Sequence, residues 1–441
     1  MKKTLRVVAV LLSLALLLCC AAASAEAATP EFPEWNEEIT LTLWTWAPGT
    51  AEMVAAFEEA YPNIHVETPM VGSGNDMYTK LQTVMASGSG GPDVVQIEFQ
   101  SLLQFVDAGY LLDISEYGAQ YEEYVVPWIW NQCTCYGKLY AIPQDAGPLG
   151  LFYAPELLAQ CGINTYPETY DELKEACAIV REKMPESYLI NYPVSDTSVV
   201  MGLLWQAGWR PFHYDEAADA WEISINTEEA KNVLNFWGDM INEDLVSVVF
   251  DWTPEWGTAL NDGTFLSFVG AAWSPVSQIL PYKTDKCPTY NVTTLPQWDA
   301  ENPSNGNWGG SSYAVSAHTK NAEAATLLAA WINLSDFALK FDVQSGGRGL
   351  FPACPAGYEL EEFHSPDAVL SGQETADIWV EAMSTVDVSF EWSPWNGYFT
   401  DELANECIAA YEGKQTWDDA LDNLQNKMIA YAESMDYEVM S

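Results

Sequence analysis

From Ile39 to Trp46 the chain alternates apolar and polar residues (ITLTLWTW), the period of a half-buried strand. Pro48-Gly49 breaks the run. Met53, Phe57 and Tyr61 then recur at four-residue spacing, which predicts an amphipathic helix over 50–61. Ile64-His65-Val66 predicts a second strand. Met77, Leu81, Val84 and Met85 predict a second helix, closed by the glycines from Gly88 to Gly91. After Pro92-Asp93, the run Val94-Val95-Gln96-Ile97 predicts a buried third strand. Strand, helix, strand, helix, strand implies a parallel sheet covered by helices. Ligands of such sheets lie beyond the carboxyl ends of the strands. Those ends are Trp44 to Trp46 and Glu98 to Gln100.

The stretch from Tyr136 to Tyr153 has another character. A short β ribbon at 138–142 stops at Pro143, a polar and glycine patch runs from Gln144 to Pro148, and a second apolar run covers 149–153 before Pro155. Proline and glycine on both sides of a strand-like run mark a sharply placed crossing rather than a helix. Asp145 stands where that crossing begins. Beyond it, Thr169 and Glu172 form a capping box that opens a helix through Lys183, and Asn226 with Glu229 does the same for a helix reaching Ile241. Strands are predicted at 188–192 and 221–225, and a helix at 197–207. A further strand at 265–272 delivers Trp273 at its carboxyl end. The Asn- and Gly-rich stretch 297–310 reads as a return path to a strand at 313–316. Helices at 322–334 and 335–344 precede a Gly-rich loop containing Arg348, and Thr416 with Asp419 opens the last helix.

Composition sharpens this picture. The first residues carry Lys2, Lys3 and Arg6, then an apolar run from Val7 to Leu18, then Ala23-Ser24-Ala25. This is the layout of a secretory signal peptide cleaved after Ala25. Cys19 and Cys20 add the alternative of a lipid-modified cysteine, although Leu18 is not the small residue that usually precedes one. With 63 Asp and Glu against 17 Lys and Arg, the formal net charge is −46. Such a surface repels phosphate backbones and anionic lipid, which argues against nucleic acid as a partner. The seven cysteines beyond Ala25 are odd in number and irregular in spacing, so they read as structural rather than as metal ligands. No Gly-x-Ser-x-Gly elbow, His-Glu-x-x-His site or phosphate loop occurs, and no cofactor is implied.

The chain holds 19 Trp and 22 Tyr. Those inside amphipathic helices, such as Trp237 and Trp331, are core residues by position. Those at strand ends or in loops are candidate platforms for the flat C–H faces of a sugar: Trp46, Trp205, Trp273, Trp308, Trp392, Trp395 and Tyr398. Glu98, Gln100 and Asp145 are the candidate polar partners for its hydroxyls. Arg348 either joins them or pairs with a structural carboxylate.

The block Gly137-Lys-Leu-Tyr-x-Ile-Pro143, then Asp145-x-Gly-Pro-Leu-Gly-Leu-Phe-Tyr153, then the ELLAQCGI and TYDEL helix starts, resembles the bacterial extracellular solute-binding proteins of sugar ABC transporters, of the maltose-binding-protein-like kind. The resemblance implies a two-lobed α/β fold of the periplasmic-binding-protein type, each lobe a mostly parallel sheet flanked by helices, joined by hinge crossings. One lobe is expected from 36–146 and 311–352, the other from 147–310 and 353–441. It further implies a monomeric, extracytoplasmic, non-catalytic protein that hands a sugar to a membrane permease and its ATPase. Trp46 and Trp273 stand at the positions where both pattern and resemblance place ligand contacts. Residues alone leave open a secreted glycan hydrolase, a lectin, or a binder of a cationic ligand such as a polyamine, since carboxylates with tryptophan suit each of these.

Overall fold

A computed structural model describes residues 28–344 and 346–440. The signal peptide and both candidate lipid-bearing cysteines, Cys19 and Cys20, lie outside the described residues. In chain order the elements that position the site begin with β1 (Ile39–Trp44), α1 (Thr50–Ala60), β2 (Ile64–Glu67), α2 (Gly74–Ser87), β3 (Val94–Glu98) and α3 (Phe99–Asp107). Then come β4 (Ala141–Pro143), β5 (Asp145–Ala146), β6 (Leu149–Tyr153), α4 (Tyr170–Lys183), α5 (Thr197–Gln206) and α6 (Glu228–Asn242). The last are β7 (Ser267–Ala271), β8 (Asn291–Thr293), β9 (Ser311–Val315), α7 (Ala322–Leu334), α8 (Asp336–Val343), β10 (Phe351–Pro352) and α9 (Trp417–Ser434).

The first sheet has the strand order β2-β1-β3-β9-β4. Strand β1 runs parallel to both β2 and β3, with Ile39 opposite Ile64 and Leu43 opposite Val94. Strand β9 returns antiparallel between β3 and β4. The alternation of the sequence buries Leu41 and Leu43, and Met53 and Phe57 of α1 face the same core. Helix α7 packs against β9, β4 and β3, and from Ala324 through Leu334 every residue is buried. Each leucine or isoleucine so covered contributes about 1.5–3 kcal/mol relative to exposure. Helix α2 stops where the glycines predict, at Gly88 in the left-handed region (φ 75°).

The second sheet departs from the expectation of a mostly parallel sheet in each lobe. Its order is β7-β6-β8, and both neighbours of β6 are antiparallel to it. Strand β6 enters from the crossing with one fixed direction and lies between two strands running the other way. Beside this sheet, parallel pairing includes single bridges of Tyr188 to Phe265 and of Asn191 to Phe268 and Ser247, and a short ladder of Trp221 and Glu222 with Val439 and Met440. The strand predicted at 188–192 is therefore reduced to bridges, because Asn191 uses its side chain in place of a longer ladder. Its Oδ1 accepts from Ser247 Oγ (2.8 Å) and Val249 N (3.0 Å), and its Nδ2 donates to Val249 O (2.9 Å).

The capping boxes at Thr169/Glu172 and Thr416/Asp419 form as predicted. The one assigned to Asn226 does not. Thr227 caps α6 instead, accepting from Ala230 N, while Asn226 donates to Asp422 Oδ1 at 2.8 Å. All seven cysteines among the described residues are free thiols, and all but Cys287 are buried. No described helix is long and apolar enough to cross a membrane.

The chain passes between the two sheets three times. It leaves the first after β4, returns from β8 to β9, and leaves again after α8 through β10. Strands β5 and β10 pair antiparallel at the waist, Asp145 opposite Pro352 and Ala146 opposite Phe351.

Candidate functional site

One wall of a cleft is built where β1 and β3 end. Gln96 of β3 is buried, and its Oε1 accepts from Thr45 Oγ1 (2.6 Å), Trp46 N (3.0 Å) and Ala47 N (3.1 Å). Its Nε2 donates to Ser311 Oγ (3.2 Å) and Gln144 Oε1 (3.3 Å). One carboxamide thus ties the end of β1 to β9 and to the crossing segment. Trp46 is set edge-on against Tyr78 of α2 at 6.0 Å. The Tyr78 hydroxyl donates to Glu98 Oε2 and accepts from Glu98 N, both at 3.0 Å. Burial pushes the Glu98 carboxyl above its ordinary range, against the hydrogen bonds from Tyr78 and Gln100.

At the waist, Asp145 is 4% exposed and its Oδ1 accepts from Ser311 N at 2.8 Å. Burial pushes its carboxyl up to about 7, the Ser311 bond opposing. Two glycines let the strands approach here. A Cβ at Gly147 would lie 1.8 Å from Trp308 O, and one at Gly310 (φ 91°) would lie 2.5 Å from the Phe99 ring.

The facing wall comes from the second sheet. Beyond β7, Trp273 donates its indole N–H to Trp308 O (3.1 Å), and the two rings meet edge to face at 4.9 Å. Trp252 lies nearly parallel to Trp273 at 6.1 Å and perpendicular to Trp308 at 6.3 Å. It is 45% exposed and holds φ 63°, a strained conformation for so bulky a residue. Asp196 caps α5, accepting from Ser198 N (2.9 Å) and Val199 N (3.3 Å). Burial raises its carboxyl, against these backbone bonds and a hydrogen bond from Trp252.

Between the walls lies a cavity of about 430 Å³. Trp46, Glu98, Asp145, Trp273 and Trp308, all expected at the site, line it together with Gln144, Asp196, Ser198 and Trp252. The other expected residues lie elsewhere, each for a reason of packing. Gln100 is on the first turn of α3, where the helix turns it off the cavity to hydrogen-bond Glu98. Trp205 is 1% exposed, stacked on Phe390 at 4.0 Å, with its N–H on Asp387 O. Helix α5 is covered on all sides from Val199 onward, so its aromatic end is core. Trp395 is enclosed by Phe212 and Trp221, and Tyr398 stacks on Tyr431 at 4.0 Å. Arg348 is 1% exposed, ion-paired with the fully buried Asp342, and donates to Ile332 O (3.1 Å). Trp392 lines a separate cavity and donates to Gln132 Oε1 at 2.8 Å.

Sequence reasoning missed Gln96, Gln144, Asp196 and Trp252. Gln96 had a signal, a lone carboxamide inside an apolar strand. Asp196 had another, an N-cap ahead of a helix. Trp252 had none, since its role follows from Trp273 and Trp308 standing beside it.

The sequence profile of the bacterial extracellular solute-binding proteins matches residues 44–336. An arabinooligosaccharide-binding protein of Halalkalibacterium halodurans is 25% identical over 317 residues, 68% of either chain. A lactose-binding protein of Rhizobium radiobacter is 25% identical over 395 residues, 84% of this chain and 87% of its own. Among solved structures, an ABC-transporter-associated binding protein of B. animalis subsp. lactis in complex with β-1,6-galactobiose superposes with a TM-score of 0.78 at 26% identity, over 92% of this chain and all of the other. The galacto-N-biose/lacto-N-biose-binding protein of Bifidobacterium longum reaches 0.79 at 21% identity over the same shares.

Proposed function

The chain belongs to the bacterial extracellular solute-binding proteins, and from that premise we propose that it captures a carbohydrate in the cleft between its two sheets for an ABC importer. Its family places it outside the cytoplasm and makes it a binding protein rather than an enzyme. The observation that carries the sugar reading is the lining itself. Indoles of Trp273, Trp308 and Trp252 stand on one side, and the carboxyl groups of Glu98 and Asp145 on the other. Flat apolar plates facing hydrogen-bond acceptors match a sugar, with C–H faces ringed by hydroxyls. The names of the relatives, binders of arabino-oligosaccharides, lactose and galactobiose, point the same way.

In this reading Trp46, Glu98, Asp145, Trp252, Trp273 and Trp308 contact the ligand. Residues 36–146 with 311–352 move as one lobe, and 147–310 with 353–441 as the other. Ligand contacts on both walls draw the lobes together about the waist at β5 and β10. The closed form docks as a monomer on a permease with its ATPase, and a lipid on Cys19 or Cys20 keeps it near the membrane. Nucleic acid is no partner of a chain with net charge −46.

The test is a binding titration with oligosaccharides of these types, alongside product analysis and X-ray scattering. Saturable binding, a smaller envelope and intact sugar are expected. A cleaved glycosidic bond, or an envelope indifferent to every sugar that binds, overturns the reading.

A further inference from the structure

The polar groups of the cleft are unequal in kind. Among the described residues its ionisable side chains are Glu98, Asp145 and Asp196, and no lysine, arginine or histidine lines it. The guanidinium near the waist, Arg348, is 1% exposed and already committed to Asp342 and Ile332 O. Ionised carboxylates only accept hydrogen bonds. Against them stands the Gln144 amide, 1% exposed. Its Oε1 accepts from Gln96, and its Nε2 has no partner. A ligand that satisfies this lining donates to carboxyl groups and accepts only from uncharged donors, such as the Gln144 amide and the hydroxyls of Ser73, Ser198 and Ser277. A hydroxyl does both. A sugar carboxylate, sulfate or phosphate only accepts, and it brings further negative charge to a lining that holds three carboxyl groups and, among the described residues, no side-chain cation.

Building on the capture reading above, we infer that the cleft selects uncharged sugar units and rejects the same sugars once a primary alcohol is oxidised, sulfated or phosphorylated. Selection comes from the sign and direction of the polar atoms, not from size, since oxidising one primary alcohol hardly changes a sugar's volume. The indole faces have no part in it, because they meet the C–H faces of a neutral sugar and its uronate alike.

The experiment is calorimetric titration of the purified chain at about pH 8, above the value of about 7 to which burial raises Asp145, so that this carboxyl is mostly ionised. The probes are lactose, β-1,6-galactobiose and an arabino-oligosaccharide, each with its uronate, and spermidine as a cation. Any neutral sugar that binds is expected to do so about tenfold or more tighter than its uronate. That ratio narrows in Glu98→Gln, and in Asp145→Asn should the first variant fold poorly. Equal affinity for a neutral sugar and its uronate overturns the inference and leaves capture standing. Spermidine bound while no sugar of either charge binds overturns the capture reading itself, and this inference with it.

Discussion

The two walls of the cleft are made by different means. The wall from the first sheet is a set of polar atoms held from behind. Gln96 takes three donors from the end of β1, Tyr78 holds Glu98, and Ser311 N holds Asp145. The wall from the second sheet is a group of indoles with fewer ties, beside the Asp196 carboxyl that caps α5. Trp273 is fixed to Trp308 O by its N–H, while Trp252 stands 45% exposed on a strained backbone. In the proposed reading, a pre-ordered polar wall spares the ordering cost of binding and sets which hydroxyls fit. An aromatic wall supplies contact area whatever the sugar's substituents. Affinity and selectivity therefore come apart, and substitutions on the two sides separate them.

The largest effect is expected on the aromatic side. Trp273→Ala should weaken binding of a captured sugar by about 1–3 kcal/mol, read by calorimetry, with the order of preference among sugars retained. Unchanged affinity would remove Trp273 from the site. Next comes the polar wall. Gln96→Ala strands the Trp46 amide, while Ala47 N keeps Thr45 Oγ1, and should lower unfolding free energy by about 1–3 kcal/mol in urea, with or without ligand. A variant as stable as the parent would mean that the end of β1 finds other partners.

The third concerns pH. Asp145 is pushed from 3.8 to about 7, and Asp342 to about 6, each by burial first. A carboxyl whose folded pKa is raised holds its proton more tightly folded than unfolded. The stability it lends is therefore present at low pH and lost as pH rises toward the folded value. Asp145→Asn keeps an acceptor for Ser311 N but removes the titration. Its melting temperature should gain on the parent as pH rises from about 4 to about 7, and the gain should level off above that. A constant difference across that window would show that Asp145 does not titrate there. The smallest effect belongs to Trp252. Half exposed, it should cost little stability on truncation. Trp252→Gly should be no less stable than Trp252→Ala, because glycine accepts positive φ, while both lose affinity. A glycine variant clearly less stable than the alanine one would deny the strain.

Much of this molecule was readable along the chain. The strands and helices of the first sheet and two of the three capping boxes follow from period and from short-range hydrogen bonding, which adjacent residues settle among themselves. Aromatic residues at strand ends marked Trp46 and Trp273 as candidates for the same reason. The register of the second sheet, the sorting of Trp205 and Trp395 into the core, and the gathering of Gln96, Asp145 and Trp252 about one cavity were not readable. Each depends on what packs over a residue from far along the chain, as when Ser311 N reaches Asp145 across 166 positions. Sequence pattern states that a side chain is apolar or polar and which way its element faces. Only the three passages between the sheets decide whether that face meets a core or an open cleft.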